Sequence, residues 1–122
     1  MTKKDVAKQY ISFLEQGYTE GIIALFTEEG QVSSPIYGEK RADIFYENLK
    51  ADTLNSKLEL KGIFEDENSN KIAIHFNYIW TLKNKSTVEF DVVDIIEFNS
   101  NHKIVHLQII YDTVKSRALV NV

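Results

Sequence analysis

Residues 90–98 read Phe-Asp-Val-Val-Asp-Ile-Ile-Glu-Phe, and the alternation of side chains along this stretch predicts a β-strand. One face of the strand carries two carboxylates and can meet water. The other face is apolar except for Asp94 at its centre. A buried carboxylate is costly, so it is paired with a donor or a cation, or it becomes neutral. Asp94 therefore meets a nearby backbone N–H, Lys or Arg, or it forms part of the wall of an apolar pocket, where functional carboxylates are often found.

Length and composition predict one globular domain, residues 1–122, with a core of its own. The formal net charge is −4 and acids are interleaved with Lys and Arg, which argues against a nucleic-acid partner. The chain has no cysteine, so it can form neither a disulfide framework nor a thiolate metal site. No signal peptide is evident, and no segment approaches the roughly 20 apolar residues of a membrane span. We therefore expect a cytoplasmic protein with no membrane partner.

Helical spacing dominates the first 50 residues. A first helix is predicted from Thr2 or Asp5 to Gln16, with Gly17 as its C-cap and one apolar stripe formed by Val6, Tyr10, Phe13 and Leu14. A second helix is predicted from Thr19 until Gly30 ends it, followed by an extended piece between Gln31 and Tyr37. A third helix is expected from Gly38 to about Lys50.

The remainder alternates with period two and predicts four strands. The expected bounds are about 58–64, 71–83 and 87–98, with a fourth strand beginning at Ile104. An odd-length loop after Leu82 would pair that residue with Ser86, with Asn84 or Lys85 in a left-handed conformation. Phe76, Tyr78 and Trp80 would then share a face with Phe90, Val92 and Asp94.

Helices followed by a long antiparallel meander predict an α+β fold, with the helices packed on one face of the sheet. The layer between helices and sheet is rich in aromatic residues around Asp94 and could enclose an apolar cavity. The outer sheet face is too apolar for full exposure, because we expect it to carry Ile79, Ile95, Ile104 and Ile110. This pattern predicts a homodimer.

The order of segments resembles a known family. It runs from Gln9-Tyr10-Ile11-Ser12-Phe13-Leu14 through Gly21-Ile22-Ile23-Ala24-Leu25-Phe26-Thr27-Glu28-Glu29, Val32-Ser33-Ser34-Pro35 and Phe45-Tyr46 to Val93-Asp94-Ile95-Ile96-Glu97-Phe98. It is similar to the ketosteroid isomerase and SnoaL-like branch of the nuclear transport factor 2-like superfamily. The resemblance implies a curved sheet wrapped by helices into a cone, with an internal apolar pocket and usually a dimeric assembly.

The resemblance also implies roles for individual residues. Tyr10 and Asp94 match the two positions of the isomerase oxyanion hole, and Tyr46 matches an aromatic residue that supports it. The catalytic aspartate before the proline is replaced by Ser34, whose hydroxyl is no general base near pH 7 without an activator. Efficient steroid isomerisation is therefore not expected. Glu39, Asp112 and His106 are the alternative bases, while His75 is expected on the opposite face of the sheet.

Three functions remain open from the sequence. The first is a non-catalytic pocket for a small apolar carbonyl or phenol compound, the second an isomerase, dehydratase or cyclase with a different base, and the third a structural dimer. We expect no cofactor and no metal, because His75, His102 and His106 lack metal-ligand spacing. Tyr10 and Asp94 are the candidate catalytic residues. The candidate ligand-binding residues are Phe13, Ser34, Tyr46, Phe76, Tyr78, Trp80, Val92 and Tyr111.

Overall fold

Three helices and six strands make up the part of the chain that the computed structural model describes, residues 1–114 and 116. The helices are α1 (Lys3–Gln16), α2 (Thr19–Ala24) and α3 (Ala42–Asp52). The strands are β1 (Phe26–Ser34), β2 (Gly38–Arg41), β3 (Thr53–Glu65), β4 (Lys71–Leu82), β5 (Thr87–Phe98) and β6 (Ile104–Ile110). The predicted α+β class is confirmed.

Helix α1 begins and ends as the sequence predicts. The Thr2 side chain accepts a hydrogen bond from the Asp5 backbone N–H, and the Asp5 carboxylate accepts one from the Thr2 N–H, so the two form a capping box. Gly17 ends the helix with φ 69°, a left-handed conformation that favours glycine. The buried stripe of this helix includes Tyr10 and Leu14.

The predicted second helix is too long. α2 ends at Ala24, and the residues from Phe26 onward form β1, which pairs in parallel with β6. Gly30 permits this close pairing, because an added Cβ would lie 3.0 Å from the Ile104 carbonyl oxygen. The predicted start of the third helix is also wrong, since Gly38–Arg41 form β2 against β1. Pairing with distant strands overrides the local helical pattern here.

The strands form one sheet in the order β2-β1-β6-β5-β4-β3. Every neighbouring pair is antiparallel except β1 and β6, so the sheet is mixed and the expectation of a purely antiparallel sheet fails at that pair. Helix α1 packs on β3 and β4, and α3 packs on β1 and β2. The two helices therefore cover opposite ends of the sheet, and β5, which carries Asp94, lies between those ends.

The β4–β5 hairpin has the predicted register. Lys85 adopts the left-handed conformation (φ 71°), and the Leu82 backbone N–H donates to the Ser86 carbonyl oxygen at 2.9 Å. Phe76 consequently lies opposite Val92. Alternate residues of β4 from Ile72 to Leu82 are all buried, so this face forms the core layer beneath the helices.

One outer-face prediction is wrong, because Ile104 is fully buried. The pairing between β5 and β6 shifts by one residue, so that Glu97 faces His106 while Phe98 faces Ile104. A bulge of this kind leaves the extra residue, Val105, unpaired in the strand ladder. Ile104, which precedes it, therefore faces the core and not the outer side of the sheet. Ile110 remains on the outer face and is 47% exposed.

Candidate functional site

Asp94 lies on the core face of β5, an inner strand of the sheet. Its backbone neighbours are Ile74 on β4 and Ile109 on β6, so apolar residues flank it on both sides. The residue is 1% exposed, and its Oδ1 has no hydrogen-bond partner among the described residues. Burial raises the pKa of the Asp94 carboxyl well above its usual value, and hydrogen bonding to Tyr10 opposes this shift only in part. The neutral acid, which can donate a hydrogen bond, is therefore the favoured form.

Two buried tyrosines meet beside Asp94. The hydroxyl oxygens of Tyr10 on α1 and Tyr46 on α3 lie 2.8 Å apart, and each residue is 1% exposed. Burial is the main cause that raises the pKa of both phenols well above the ordinary value. Both hydroxyls therefore stay protonated, and one of them can donate to a third group.

A cavity of about 40 Å³ lies between the helices and the sheet, and Tyr10 and Asp94 are both in its wall. Eight of the predicted site residues line it: Tyr10, Ser34, Phe76, Tyr78, Trp80, Val92, Asp94 and Tyr111. The lining also includes residues that the sequence analysis did not propose: Leu14, Tyr37, Phe45, Leu49, Phe90 and Ile109. Aromatic side chains make up much of the wall, which suits a planar ligand.

Two predicted site residues lie outside this cavity. Phe13 faces α2 instead, where its ring meets Tyr18 edge-on at 5.1 Å between centroids. The neighbouring residue of α1, Leu14, lines the cavity. Tyr46 does not line the cavity, but it contacts two residues that do: its hydroxyl shares a hydrogen bond with Tyr10, and its ring meets Phe45 edge-on at 4.8 Å between centroids. Tyr46 is thus placed to orient the Tyr10 hydroxyl.

Ser34 lines the cavity at the end of β1, but its hydroxyl oxygen also holds the following turn. Its Oγ accepts long hydrogen bonds from the backbone N–H groups of Ile36 (3.3 Å) and Tyr37 (3.4 Å). No carboxylate among the described residues forms a hydrogen bond with Ser34, so nothing there activates it as a base.

Tyr37 is a cavity residue that the sequence analysis missed. Its hydroxyl donates a hydrogen bond to the Asp52 carboxylate at the end of α3. Burial, together with this hydrogen bond, raises the pKa of the Tyr37 phenol above its ordinary value. The turn that follows Ser34, with Pro35 and Gly38 (φ 75°), was the available signal, because it returns the chain toward the cavity at residue 37.

The alternative bases do not line the cavity. Glu39 and His106 lie together near Ser33, whose Oγ is 2.8 Å from Glu39 Oε2 and 3.0 Å from His106 Nε2. Asp112 is exposed and caps the Val114 backbone N–H at 3.0 Å. His75 lies on the outer face, as predicted, with its Nε2 3.6 Å from Asp91. Within residues 1–114 and 116, no group of three potential ligand side chains could hold a metal ion.

Solved structures with the same architecture span nearly the whole chain. A protein of unknown function from Burkholderia pseudomallei, described as NTF2-like, superposes with a TM-score of 0.84 at 14% identity over 100% of both chains. The chain has the nuclear transport factor 2-like fold. A protein with this fold from Catenulispora acidiphila, described as ketosteroid isomerase-like and solved with trimethylamine, gives 0.82 at 11% identity over 99% of this chain and 95% of the other.

The same fold occurs in the epoxide hydrolase/cyclase-like enzyme SalBIII, described as having a role in pyran ring formation in the polyether salinomycin. Its TM-score is 0.76 at 17% identity, over 90% of both chains. Identities of this size establish a shared fold alone. No protein-family model matches the chain, and no curated protein matches it. No helix in the described part of the chain is long and apolar enough to cross a membrane.

Proposed function

We propose that this protein binds a small planar compound with a carbonyl or phenol oxygen, which Tyr10 and Asp94 hold by hydrogen bonds. The observation that carries the proposal is the buried Asp94 Oδ1, which has no hydrogen-bond partner among the described residues although it lies in a cavity wall. Buried polar groups are almost always hydrogen-bonded, and an unsatisfied one calls for an explanation. A ligand oxygen placed between Tyr10 and Asp94 supplies that partner.

The electrostatics of the pair favour an oxygen that carries negative charge. A neutral Asp94 and a protonated Tyr10 can each donate a hydrogen bond to the same atom. Donors to an ionised oxygen form shorter and stronger bonds than donors to a neutral one. A phenolate, an enolate or a polarised carbonyl is therefore the preferred group.

The volume of the cavity limits the size of this ligand. About 40 Å³ is far below the 300–1,000 Å³ of common ligand pockets, although it exceeds the space that one water needs. A one-ring compound is thus favoured over a four-ring steroid. Leu14 and Leu49 also line a neighbouring cleft of about 300 Å³, so their movement would extend the cavity toward it.

The fold neighbours support a pocket function without naming the ligand. One was solved with trimethylamine and another is described as a cyclase-like enzyme, so this architecture accommodates small molecules in those proteins. Ser34 in place of a catalytic aspartate favours binding over efficient steroid isomerisation here. The narrow cavity favours a second candidate, a structural role in which the side chains of the protein fill the space.

A titration with a one-ring phenol of low pKa, followed by its absorbance, separates the two candidates. The wild type should bind the phenolate, and Asp94→Ala should bind it about 10- to 150-fold more weakly, because a hydrogen bond to a charged group is worth about 1.5–3 kcal/mol. Tyr46→Phe should weaken binding less, since it removes only the partner of Tyr10. Asp91→Asn, on the opposite face of β5, is the matched control and should leave affinity unchanged.

Failure of the wild type to bind any one-ring phenol would contradict the binding function and support the structural one. Equal affinity of wild type and Asp94→Ala would show that the ligand binds elsewhere.

We also propose that the protein is a homodimer through the outer sheet face. Ile79 and Ile95 are half-buried on that face and Ile110 is 47% exposed, so apolar surface remains there although Ile104 does not contribute to it. Sedimentation at tens of micromolar should give a dimer, and Ile110→Lys should shift it toward monomer. A monomeric wild type at that concentration would refute the assembly.

A further inference from the structure

Tyr37 is connected to a carboxylate that does not itself line the cavity. Tyr37 lines the cavity, and its hydroxyl donates a hydrogen bond to Asp52 Oδ2. Asp52 ends α3, and its backbone carbonyl accepts from the Lys83 N–H at 3.0 Å, which fixes that end of the helix. A proton acceptor is thus hydrogen-bonded to a residue of the cavity wall.

Several contacts hold Tyr37 in this position. Ser34 Oγ accepts a hydrogen bond from the Tyr37 backbone N–H, and the Tyr37 ring meets Phe45 edge-on at 5.5 Å between centroids. The serine at the position of the missing base therefore contributes to placing a different side chain in the wall. Groups oriented in this way need little reorganisation when they act.

We propose that Tyr37, hydrogen-bonded to Asp52, accepts the proton from the carbon next to the carbonyl of a bound ketone. Tyr37 Oη takes that proton while its own proton passes to Asp52 Oδ2. The electron pair of the broken C–H bond forms a C=C bond, and the carbonyl π electrons move to the oxygen held by Tyr10 and Asp94. The reverse transfer returns a proton to carbon, so no oxidant or other reactant is required. This inference rests on the proposed binding of a carbonyl compound in the cavity.

None of the other candidate bases can fill this role. Asp94 is favoured as the neutral acid and serves as a donor, while Glu39, His106 and Asp112 lie outside the lining. The raised pKa of Tyr37 shows that its phenolate is disfavoured, so the phenol has to pass on its own proton as it accepts another. Asp52 acts through Tyr37 and does not touch the ligand.

Deuterium incorporation into cyclohex-3-enone, a one-ring ketone, tests the transfer directly. Protein and ketone are incubated in D₂O, and NMR follows loss of the proton signals next to the carbonyl. We expect exchange above that in buffer alone, and a loss of about 10²- to 10⁴-fold in that rate with Tyr37→Phe and with Asp52→Asn, the usual contribution of a positioned base. Asp52→Glu, which restores a carboxylate, should recover part of the rate.

The choice of variants separates chemistry from structure. Asp52→Asn keeps an oxygen that accepts from the Tyr37 hydroxyl, so the affinity for a one-ring phenol should stay within about twofold of wild type. A purely structural role of the bond would lower affinity and exchange together. Glu47→Gln removes an exposed carboxylate from the same helix and should change neither quantity.

Exchange that persists in Asp52→Asn or Tyr37→Phe would overturn the proton transfer. A wild type that binds the phenol but exchanges no faster than buffer would overturn it as well, and the proposed binding function would stand. A wild type that binds neither phenol nor ketone would remove the binding function and this inference together.

Discussion

Replacing Asp94 by Asn should remove a pH dependence of stability that belongs to this one carboxyl. The folded-state pKa is raised by burial, so between the unfolded value of about 3.9 and the folded value the native state holds a proton that the unfolded chain releases. The stability from this group is fully present below about pH 3.9. It is lost as the pH rises through that window to the folded pKa. Asn has the same size and does not titrate.

The magnitude follows from linkage. One proton released on unfolding changes the free energy of unfolding by about 1.4 kcal/mol per pH unit, or about 2.7 kcal/mol over two units inside the window. Urea unfolding of both proteins at a series of pH values gives the difference in free energy of unfolding, variant minus wild type. The contributions of the other titrating groups largely cancel in this difference. This difference should rise with pH, and it should level off at the folded pKa of Asp94.

Parallel stability curves for the two proteins above pH 4 would refute the buried, neutral Asp94. Asp91→Asn on the same strand is the control with the opposite sign. Hydrogen bonds from Asn77 and Lys61 lower the pKa of Asp91, so its stabilising effect is present above the unfolded pKa and is lost as the pH falls through the folded one. Its difference curve should therefore change only in acid.

Four substitutions test the fold by urea or thermal unfolding. Gly30→Ala should cost about 1–3 kcal/mol, because its Cβ would meet the backbone oxygens of Ile104 and Thr27 at 3.0 and 3.1 Å, whereas Gly62→Ala should cost less because only the exposed Phe64 ring must move; equal losses would contradict this. Lys85→Gly should raise stability by up to about 1 kcal/mol, since glycine accepts φ 71° without strain, and a fall in the midpoint would count against it. Thr2→Ala should lose about 1 kcal/mol with the capping box, and an unchanged midpoint would show that the cap contributes nothing.

The strands that carry the site follow from the sequence because alternation is a local signal. The face of Asp94 and the register of β4 against β5 depend on the position of apolar residues and on one left-handed loop residue, Lys85. Both can be deduced without knowledge of the rest of the chain. Tyr10 was predicted as a site residue from its place on the apolar stripe of the first helix and from the family resemblance.

The missed features all depend on contacts between distant segments. Residues 26–30 were predicted as the end of a helix but belong to β1, which pairs with β6, and no local pattern indicates this pairing. Phe13 shares the stripe of Tyr10, yet the small Gly21 lets α2 approach, so Tyr18 and not the cavity receives the Phe13 ring. Tyr37 reaches the cavity only because the turn after Ser34 folds back toward α3.

The parallel pairing of β1 with β6 bears on the order in which the molecule assembles. The partners in the β3–β4–β5–β6 meander are close in sequence, while Val32 and Leu107 are separated by most of the chain. Closing a long loop costs more entropy than forming a hairpin, so β1 should join the sheet last. Ser34 and Tyr37 come with it, which means that the cavity wall is completed in the final step. Pulsed hydrogen exchange during refolding should protect the amides of β4 and β5 first, and ligand binding should begin only when β1 is protected.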